Sequence, residues 1–324
     1  MADLSQQKTE AVIHVAPSPH IFNIETTTRS MMRDVLIALL PVLFTALYIF
    51  RWSAAKQIVI CLAACLAGEA LFTRMRQRPL ALWDLSAAVT GVILGLSLPA
   101  PAPWYIGIIA SFVAVGIGKM VFGGLGMNIF NPAMVGRAFV MIAFAEKMAA
   151  GGYVDPDRAV DVMTQATPLT AFRQAGMPIE LSDLFWGLSN GSIGEISAAA
   201  CLIGGGYLLV RRVASWQIPA AVLATVFVLA GGANLMNLNS SWTVWHHFFS
   251  GALLFGAFFI ATDPVTSPLT GRGKWIFGIG VGVLVMLIRT FSGYPEGVMF
   301  AVLLMNACTP LINRWTRPRP FGSW

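Results

Sequence analysis

Ten apolar runs, each bounded by charged residues, proline or glycine, follow one another through almost the whole chain. A helix that crosses a bilayer needs about 20 mostly apolar residues, and its backbone polar groups are satisfied within the helix itself. Only 11% of the residues are charged, which is far below the proportion found in soluble domains. The runs cover residues 35–50, 56–73, 84–99, 104–122, 132–146, 191–210, 215–232, 244–262, 274–290 and 296–312. The sequence therefore predicts an all-α polytopic membrane protein with about ten transmembrane helices.

Lysine and arginine are distributed unevenly between the segments that connect these spans. If the N-terminus is cytoplasmic, 14 of them fall on the cytoplasmic side and 6 outside, with Arg137 placed within a span. Because basic residues favour cytoplasmic segments, we expect a bacterial inner-membrane protein with both termini in the cytoplasm. The net charge of +6 is then information about topology and contact with membrane lipid, and we expect no nucleic-acid partner.

The two halves of the chain resemble each other weakly. Each has Gly-rich spans, a Pro-containing turn, and a final span opened by Asn131-Pro132 or Tyr294-Pro295. Five spans in each half is an odd number, so the halves would form two inverted five-helix repeats, an architecture like that of urea transporters. The predicted parts are a cytoplasmic N-terminal segment (1–34), a first repeat (35–146), an external loop (147–190), a second repeat (191–312) and a cytoplasmic tail (313–324).

The external loop is the one long polar insertion, and loops of this length usually have a function. It contains the stretch from Asp161 to Leu169, in which Thr164, Ala166 and Thr167 precede a proline. The proline disfavours a helical conformation at Thr167, so its hydroxyl should be presented to the outside. Taken from the residues alone, the stretch predicts an exposed turn.

The same stretch resembles the flavin-attachment site of the D subunit of the Rnf electron-transport complex, which is homologous to the B subunit of the sodium-translocating NADH:quinone oxidoreductase. In that family a flavin transferase recognises the pattern Asp-x-x-Ser/Thr-Gly-Ala-Thr and esterifies the last threonine to the phosphate of FMN. The resemblance implies covalent FMN on Thr167, with Asp161, Thr164 and Ala166 in the pattern and Gln165 where glycine is usual. Further resemblance lies at residues 18–20, 123–139, 261–268 and 292–297.

The family resemblance implies a membrane subunit of an ion-translocating NADH:ferredoxin oxidoreductase, carrying electrons across the membrane through the covalent FMN. The implied partners are the A, B, C, E and G subunits of the Rnf complex, and a flavin transferase for maturation. A Gly-rich turn between a strand and a helix would indicate an NADH site, and the sequence contains no such pattern, so NADH should bind elsewhere in the complex. We expect no catalytic residue and no metal ligand in this chain. The alternatives are a small-solute channel of urea-transporter-like fold without a redox role, and a structural scaffold.

A second group of residues follows the fourth span, where Gly123, Gly124 and Gly126 precede Asn128 and Asn131. No Lys-Ser or Lys-Thr completes a phosphate-binding loop, so the glycines predict a turn in a broken helix. The family resemblance suggests a second, noncovalent flavin, riboflavin, in this region. The two asparagine amides could hydrogen-bond its isoalloxazine ring, and the alternative is a purely structural turn.

Arg137 is a charge within the fifth span, where an unpaired arginine costs about 2.5–3.5 kcal/mol. Asp263 is its predicted acidic partner, or else an element of an ion site. The alternative is that both lie at the membrane boundary among lipid headgroups. Glu69 is another acid within an apolar run.

Overall fold

The computed structural model describes residues 27–78, 82–149, 151–154, 162–165, 180–187, 191–235, 243–292 and 297–318. In chain order, the helices of these ranges are α1 (Thr28–Met75), α2 (Ser86–Ser97), α3 (Trp104–Val115), α4 (Pro132–Ala143), α5 (Ala145–Ala149), α6 (Leu181–Trp186), α7 (Ala198–Val210), α8 (Gln217–Leu235), α9 (Val244–Phe249), α10 (Leu253–Phe255), α11 (Gly271–Phe291) and α12 (Val298–Trp315). A 3-10 turn (Leu82–Asp84) precedes α2, and π-helical turns extend α3 (Gly116–Met120) and α10 (Gly256–Ile260).

Within the described ranges, four helices are long and apolar enough to cross a membrane, namely α1, α8, α11 and α12. Shorter apolar helices are α2, α3 with its π turn, α4 and α7. Helical segments overlap all ten apolar runs, so the chain is a predominantly helical membrane protein. The number of ten crossings and the inverted repeats stay predictions.

The first two predicted spans form a single long element, α1, with a break at Arg51 (φ 46°, ψ −122°). The break lets the two parts of α1 pack against different helices. Before it, the Ala38 carbonyl lies under Gly204 of α7; after it, the Leu62 backbone lies under Gly91 of α2. A Cβ at Gly204 would come 2.1 Å from the Ala38 oxygen, and one at Gly91 would come 2.7 Å from the Leu62 Cα. Small residues therefore let these backbones approach closely, as is usual in membrane helices.

A short antiparallel hairpin lies in the segment predicted to be external. Strand β1 (Gly151–Val154) pairs with β2 (Val162–Gln165), with Gly152 opposite Thr164. The hairpin adds a small sheet to the predicted helical fold. It forms outside the apolar runs, where backbone groups that lack a helix can pair with each other across two strands.

Candidate functional site

A cavity lies between residues 27–149, the N-terminal half, and residues 191–318, the C-terminal half. The cavity is partly open to its surroundings. Its walls come from the first turns of α1, from α2, from the start of α4, from the end of α7 and from the segment after α10. Its polar lining consists of Ser86, Thr90, Lys119, Asn128, Asn131, Thr262 and Asp263. The structure thus brings Asn128, Asn131 and Asp263 together, although the sequence separates the asparagines from the aspartate by more than 130 residues.

A glycine-rich turn positions Asn128 at this cavity. Gly123, Gly124 and Gly126 have φ values of +127°, +111° and +90°, which residues with a Cβ rarely adopt. The predicted break between the fourth and fifth spans is therefore confirmed. After the turn the chain runs back into the protein interior, where Asn128 is only 6% exposed.

Asn128 has an unused hydrogen-bond acceptor. Its Nδ2 donates to the Phe130 carbonyl (3.2 Å), but its buried Oδ1 has no hydrogen-bond partner among the described residues. Leaving a buried acceptor unpaired costs about 1–3 kcal/mol, and native proteins rarely do so without a ligand, a water molecule or a functional reason. Asn128 is therefore a residue at the cavity whose buried acceptor the described residues leave without a hydrogen bond.

Asn131 has a different environment, because its side chain is engaged by the protein itself. Its Oδ1 accepts from the Ala133 and Met134 amides (3.1 and 3.4 Å) and so caps the N-terminus of α4. Its Nδ2 donates to the Ile260 carbonyl (3.4 Å), and its backbone amide donates to Asn306 Oδ1 (3.2 Å). Asn131 therefore joins the two halves of the protein at the rim of the cavity.

Lys119 also lines the cavity, and its side chain is paired with a buried acid. Its Nζ lies 2.6 Å from Glu69 Oε1 and 2.6 Å from Ser86 Oγ. Ser86 Oγ in turn donates to Asp84 Oδ1 at 2.6 Å. Lys119 is one of the 14 basic residues that the charge distribution counts on the cytoplasmic side, but it is only 2% exposed and is therefore not a solvated surface charge. The carboxylate and the hydroxyl replace the water that a buried ammonium group would lose.

Arg289, which was counted outside, is also buried at 6% exposure, and it donates to the carbonyls of His247 and Ser250 at 2.7 and 2.9 Å. Without Lys119 and Arg289, the cytoplasmic count falls from 14 to 13 and the outside count from 6 to 5. The charge asymmetry behind the predicted orientation is therefore preserved.

The predicted partner of Arg137 is wrong. Arg137 Nη1 donates to Glu195 Oε1 at 3.0 Å and its Nη2 donates to Ser192 Oγ at 3.1 Å. Asp263 instead accepts from the Val265 amide (3.3 Å) and from Thr266 Oγ1 (3.0 Å). Because Arg137 and Glu195 are both buried, the ion pair satisfies the charge within the protein and needs no lipid headgroup.

The chain segment before α7 explains why Glu195, and not Asp263, is the partner of Arg137. The Ile193 amide donates to the Leu98 carbonyl (3.1 Å), and the Gly194 amide donates to the Leu96 carbonyl (2.7 Å). These bonds hold the segment against the end of α2, where the helix stops, and so bring Glu195 to α4. In the sequence Glu195 lies at the start of an apolar run, so its burial beside Arg137 depends on a contact between distant segments.

Asn306 of α12 is a second residue that the sequence did not indicate. Besides accepting from the Asn131 amide, it donates through Nδ2 to the Thr266 carbonyl (3.2 Å). Thr309 Oγ1 donates to the same carbonyl (3.0 Å). Through Thr266, this network reaches Asp263 and fixes the segment that closes one side of the cavity.

The flavin-attachment pattern lies at the edge of the described part of the chain. Asp161, Ala166 and Thr167 fall outside the described residues, whereas the backbone of Thr164 belongs to β2. The pattern therefore includes the second strand of the hairpin. Among the described residues, no group of three or more His, Cys, Asp or Glu side chains could hold a metal ion.

Together, the apolar helices, the buried ion pairs and the cavity between the two halves are those of a polytopic helical membrane protein. The model of the NQR2, RnfD, RnfE family matches residues 14–322. The chain belongs to this family.

Curated relatives cover almost the same length. The chain is 43% identical to the D subunit of a Na(+)-translocating ferredoxin:NAD(+) oxidoreductase complex from Acetobacterium woodii, over 97% of this chain and 96% of the relative. It is 41% identical to the D subunit of an ion-translocating oxidoreductase complex from Halorhodospira halophila, over 90% and 91% of the two chains. The D subunit of the complex of the same name from Stutzerimonas stutzeri is 40% identical, over 92% and 93%.

Proposed function

We propose that this chain is a membrane subunit of an ion-translocating oxidoreductase complex and carries electrons across the membrane through FMN esterified to Thr167. The observation that carries the proposal is the flavin-attachment pattern at Asp161, Thr164, Ala166 and Thr167, in a chain that belongs to this family over nearly its whole length. The name of the Acetobacterium woodii relative, a subunit of a ferredoxin:NAD(+) oxidoreductase complex, supports an NADH:ferredoxin oxidoreductase as the complex. A flavin can pass one electron at a time, and an ester bond keeps an exposed cofactor from dissociating.

The proposal assigns a role to the membrane part. The predicted topology puts Thr167 on the external side of the membrane, whereas NADH and ferredoxin are cytoplasmic, so electrons must cross the apolar layer of the membrane. Moving one charge against 100 mV costs about 2.3 kcal/mol, so such a path can couple to ion movement. The proposed arrangement has ten spans in two inverted repeats in the inner membrane and both termini in the cytoplasm. The proposed partners are the A, B, C, E and G subunits of the Rnf complex, which hold the NADH site, and a flavin transferase.

Covalent flavin is tested on a denaturing gel, because only an esterified flavin remains fluorescent there. With a co-expressed flavin transferase, the wild-type band should fluoresce under ultraviolet light, and Thr167→Ala should remove the fluorescence without reducing membrane insertion. Thr170→Ala is the matched control, since it removes a hydroxyl from the same loop but outside the pattern. A fluorescent Thr167→Ala band would refute the attachment site. A dark wild-type band would favour the solute channel or the scaffold.

We further propose that riboflavin binds without a covalent bond in the cavity between the halves. The Asn128 Oδ1 supports this, because the N3–H of an isoalloxazine ring is a donor that could satisfy it. The apolar lining around it, which includes Val89, Ile93 and Phe259, suits the body of such a ring. Asn131 would have a structural role at the rim of the cavity, since its side-chain amide already caps α4 and donates to the Ile260 carbonyl.

Acid extraction of the purified Thr167→Ala complex tests this second flavin, because covalent FMN is then absent. We expect stoichiometric riboflavin in the extract and its loss in Asn128→Leu. Asn234→Leu is the matched control, because this asparagine also has an unpartnered buried Oδ1 among the described residues but does not line the cavity. A flavin-free extract from an intact complex, or equal riboflavin in all three proteins, would refute the site.

A further inference from the structure

An apolar groove opens on the surface between the last turn of α1 and the end of α3. Its walls include Phe72 and Met75 on one side and Ile117 and Val121 on the other. Gly116 forms its floor: a Cβ there would come 2.9 Å from the Phe72 ring, so only glycine lets the ring lie over the start of the π turn. Met75, Ile117 and Val121 are more than half exposed, and the groove is therefore accessible from the side of the protein.

Three exposed arginines, Arg74, Arg76 and Arg78, lie at the end of α1. Arg76 is one of the residues that line the groove. The chain that carries them is fixed by a Schellman-type helix end: Gln77 has φ +53°, its amide donates to the Arg74 carbonyl (3.0 Å), and the Arg78 amide donates to the Thr73 carbonyl (3.2 Å). The helix end therefore fixes the backbone that carries Arg76, which lines the groove, and its two neighbouring arginines.

Two of the arginines connect the walls of the groove. Arg76 Nη1 donates to the Met120 carbonyl at 2.7 Å, and Arg78 Nη1 donates to the Gly123 carbonyl at 3.4 Å. A guanidinium has five N–H donors, so these bonds leave donors for an anion. Among the described residues, no carboxylate forms an ion pair with Arg74, Arg76 or Arg78.

We infer that this groove binds an anionic glycerophospholipid, with an acyl chain between Phe72 and Ile117 and its phosphate at Arg76 and Arg78. The occupant follows from the two chemistries that meet here. An apolar channel at the side of a membrane helix fits a hydrocarbon chain, and a basic end within one helix turn fits a headgroup phosphate, which guanidinium groups bind through paired hydrogen bonds. A helix of a partner protein would cover the same apolar walls without needing three cations at one end. This inference does not depend on either flavin.

Native mass spectrometry of the full-length chain, released from detergent, tests the site. Phosphatidylglycerol and phosphatidylethanolamine with the same acyl chains are added in equal amounts. We expect a phosphatidylglycerol adduct that forms in preference to the phosphatidylethanolamine adduct. Each arginine near a lipid headgroup contributes roughly fivefold in affinity, so Arg76→Gln should weaken the adduct about fivefold and the triple variant R74Q/R76Q/R78Q should abolish the preference.

Two further variants separate the groove from a general attraction to positive charge. The triple variant R272Q/R314Q/R317Q removes the same charge from exposed positions that do not line the groove, and it should keep the preference. Ile117→Trp fills the groove from an exposed position with all the arginines intact, and it should also lose the adduct. Equal binding of the two lipids to the wild type, equal loss in both charge variants, or an undiminished adduct in Ile117→Trp would each overturn the proposal.

Discussion

Replacing Lys119 by methionine should destabilise the protein more than almost any other single substitution. Lys119 and Glu69 form an ion pair with an N–O distance of 2.6 Å, and their side chains are 2% and 3% exposed. Removing one partner leaves the other charge buried and uncompensated, which costs about 3–5 kcal/mol. Proteins of this kind are stable by only about 5–15 kcal/mol, so this is a large fraction of the total.

The double variant K119M/E69M gives the sharper test. Replacing both charges by apolar side chains of similar volume removes the Coulombic attraction and the desolvation cost together, and such exchanges are often close to neutral. Ser86 keeps a partner in both variants, because its hydroxyl donates to Asp84. We therefore expect each single variant to lose about 3–5 kcal/mol and the double variant to lose less than either one, which gives a coupling energy above about 3 kcal/mol.

The free energy of unfolding can be measured by titrating the protein with denaturing detergent in mixed micelles while following helix content. Lys274→Met is the control, since Lys274 is half-buried and bonds only the hydroxyl of Ser215 among the described residues. It should lose less than about 1.5 kcal/mol. If the two single variants were simply additive in the double variant, or if Lys119→Met were no worse than Lys274→Met, the pair would not be the buried ion pair described above.

Two further predictions concern packing and the second ion pair. Gly204→Ala should lower the free energy of unfolding by about 1–3 kcal/mol, because its Cβ would come 2.1 Å from the Ala38 oxygen. Gly206→Ala is the control: a Cβ there would meet nothing within 4 Å, so the higher helix propensity of alanine should raise the free energy of unfolding slightly. Equal effects of the two substitutions in the same titration would contradict the close contact at Gly204. Arg137→Met should destabilise the protein by about 3–5 kcal/mol, and the double variant R137M/E195M should recover much of this loss. Thermal unfolding monitored by circular dichroism can measure both effects. A double variant less stable than Arg137→Met would refute the pairing.

The sequence alone was sufficient to recognise the class of protein and the family. A run of apolar residues has few stable structures in lipid, because its backbone must be hydrogen-bonded internally, and so helices were predictable in every run. Gly123, Gly124 and Gly126 likewise predicted a turn, and the structure confirms it with three positive φ values. These features depend on residues close together in the chain. The family recognised from these motifs is confirmed by the match over residues 14–322.

The partners of buried charges could not be predicted in the same way. The sequence showed that Arg137 needed a partner and indicated Asp263 as the candidate, with Glu69 as another acid within an apolar run, and Asp263 was the wrong one. The correct one, Glu195, is brought to Arg137 by backbone bonds between the segment before α7 and the end of α2. Lys119 was similarly counted only as a basic residue on the cytoplasmic side, and its buried partner, Glu69, was not predicted.

The candidate site shows the same division. Asn128 and Asn131 were both identified from the sequence as possible flavin contacts, and both line the cavity. Only the tertiary structure distinguishes them: Asn131 caps α4 and bonds the C-terminal half, whereas Asn128 keeps a buried acceptor without a partner among the described residues. A sequence determines which side chains need hydrogen bonds, because that need is a property of the residue. Which needs are met inside the protein, and which are left for a ligand, is decided only when distant segments pack together.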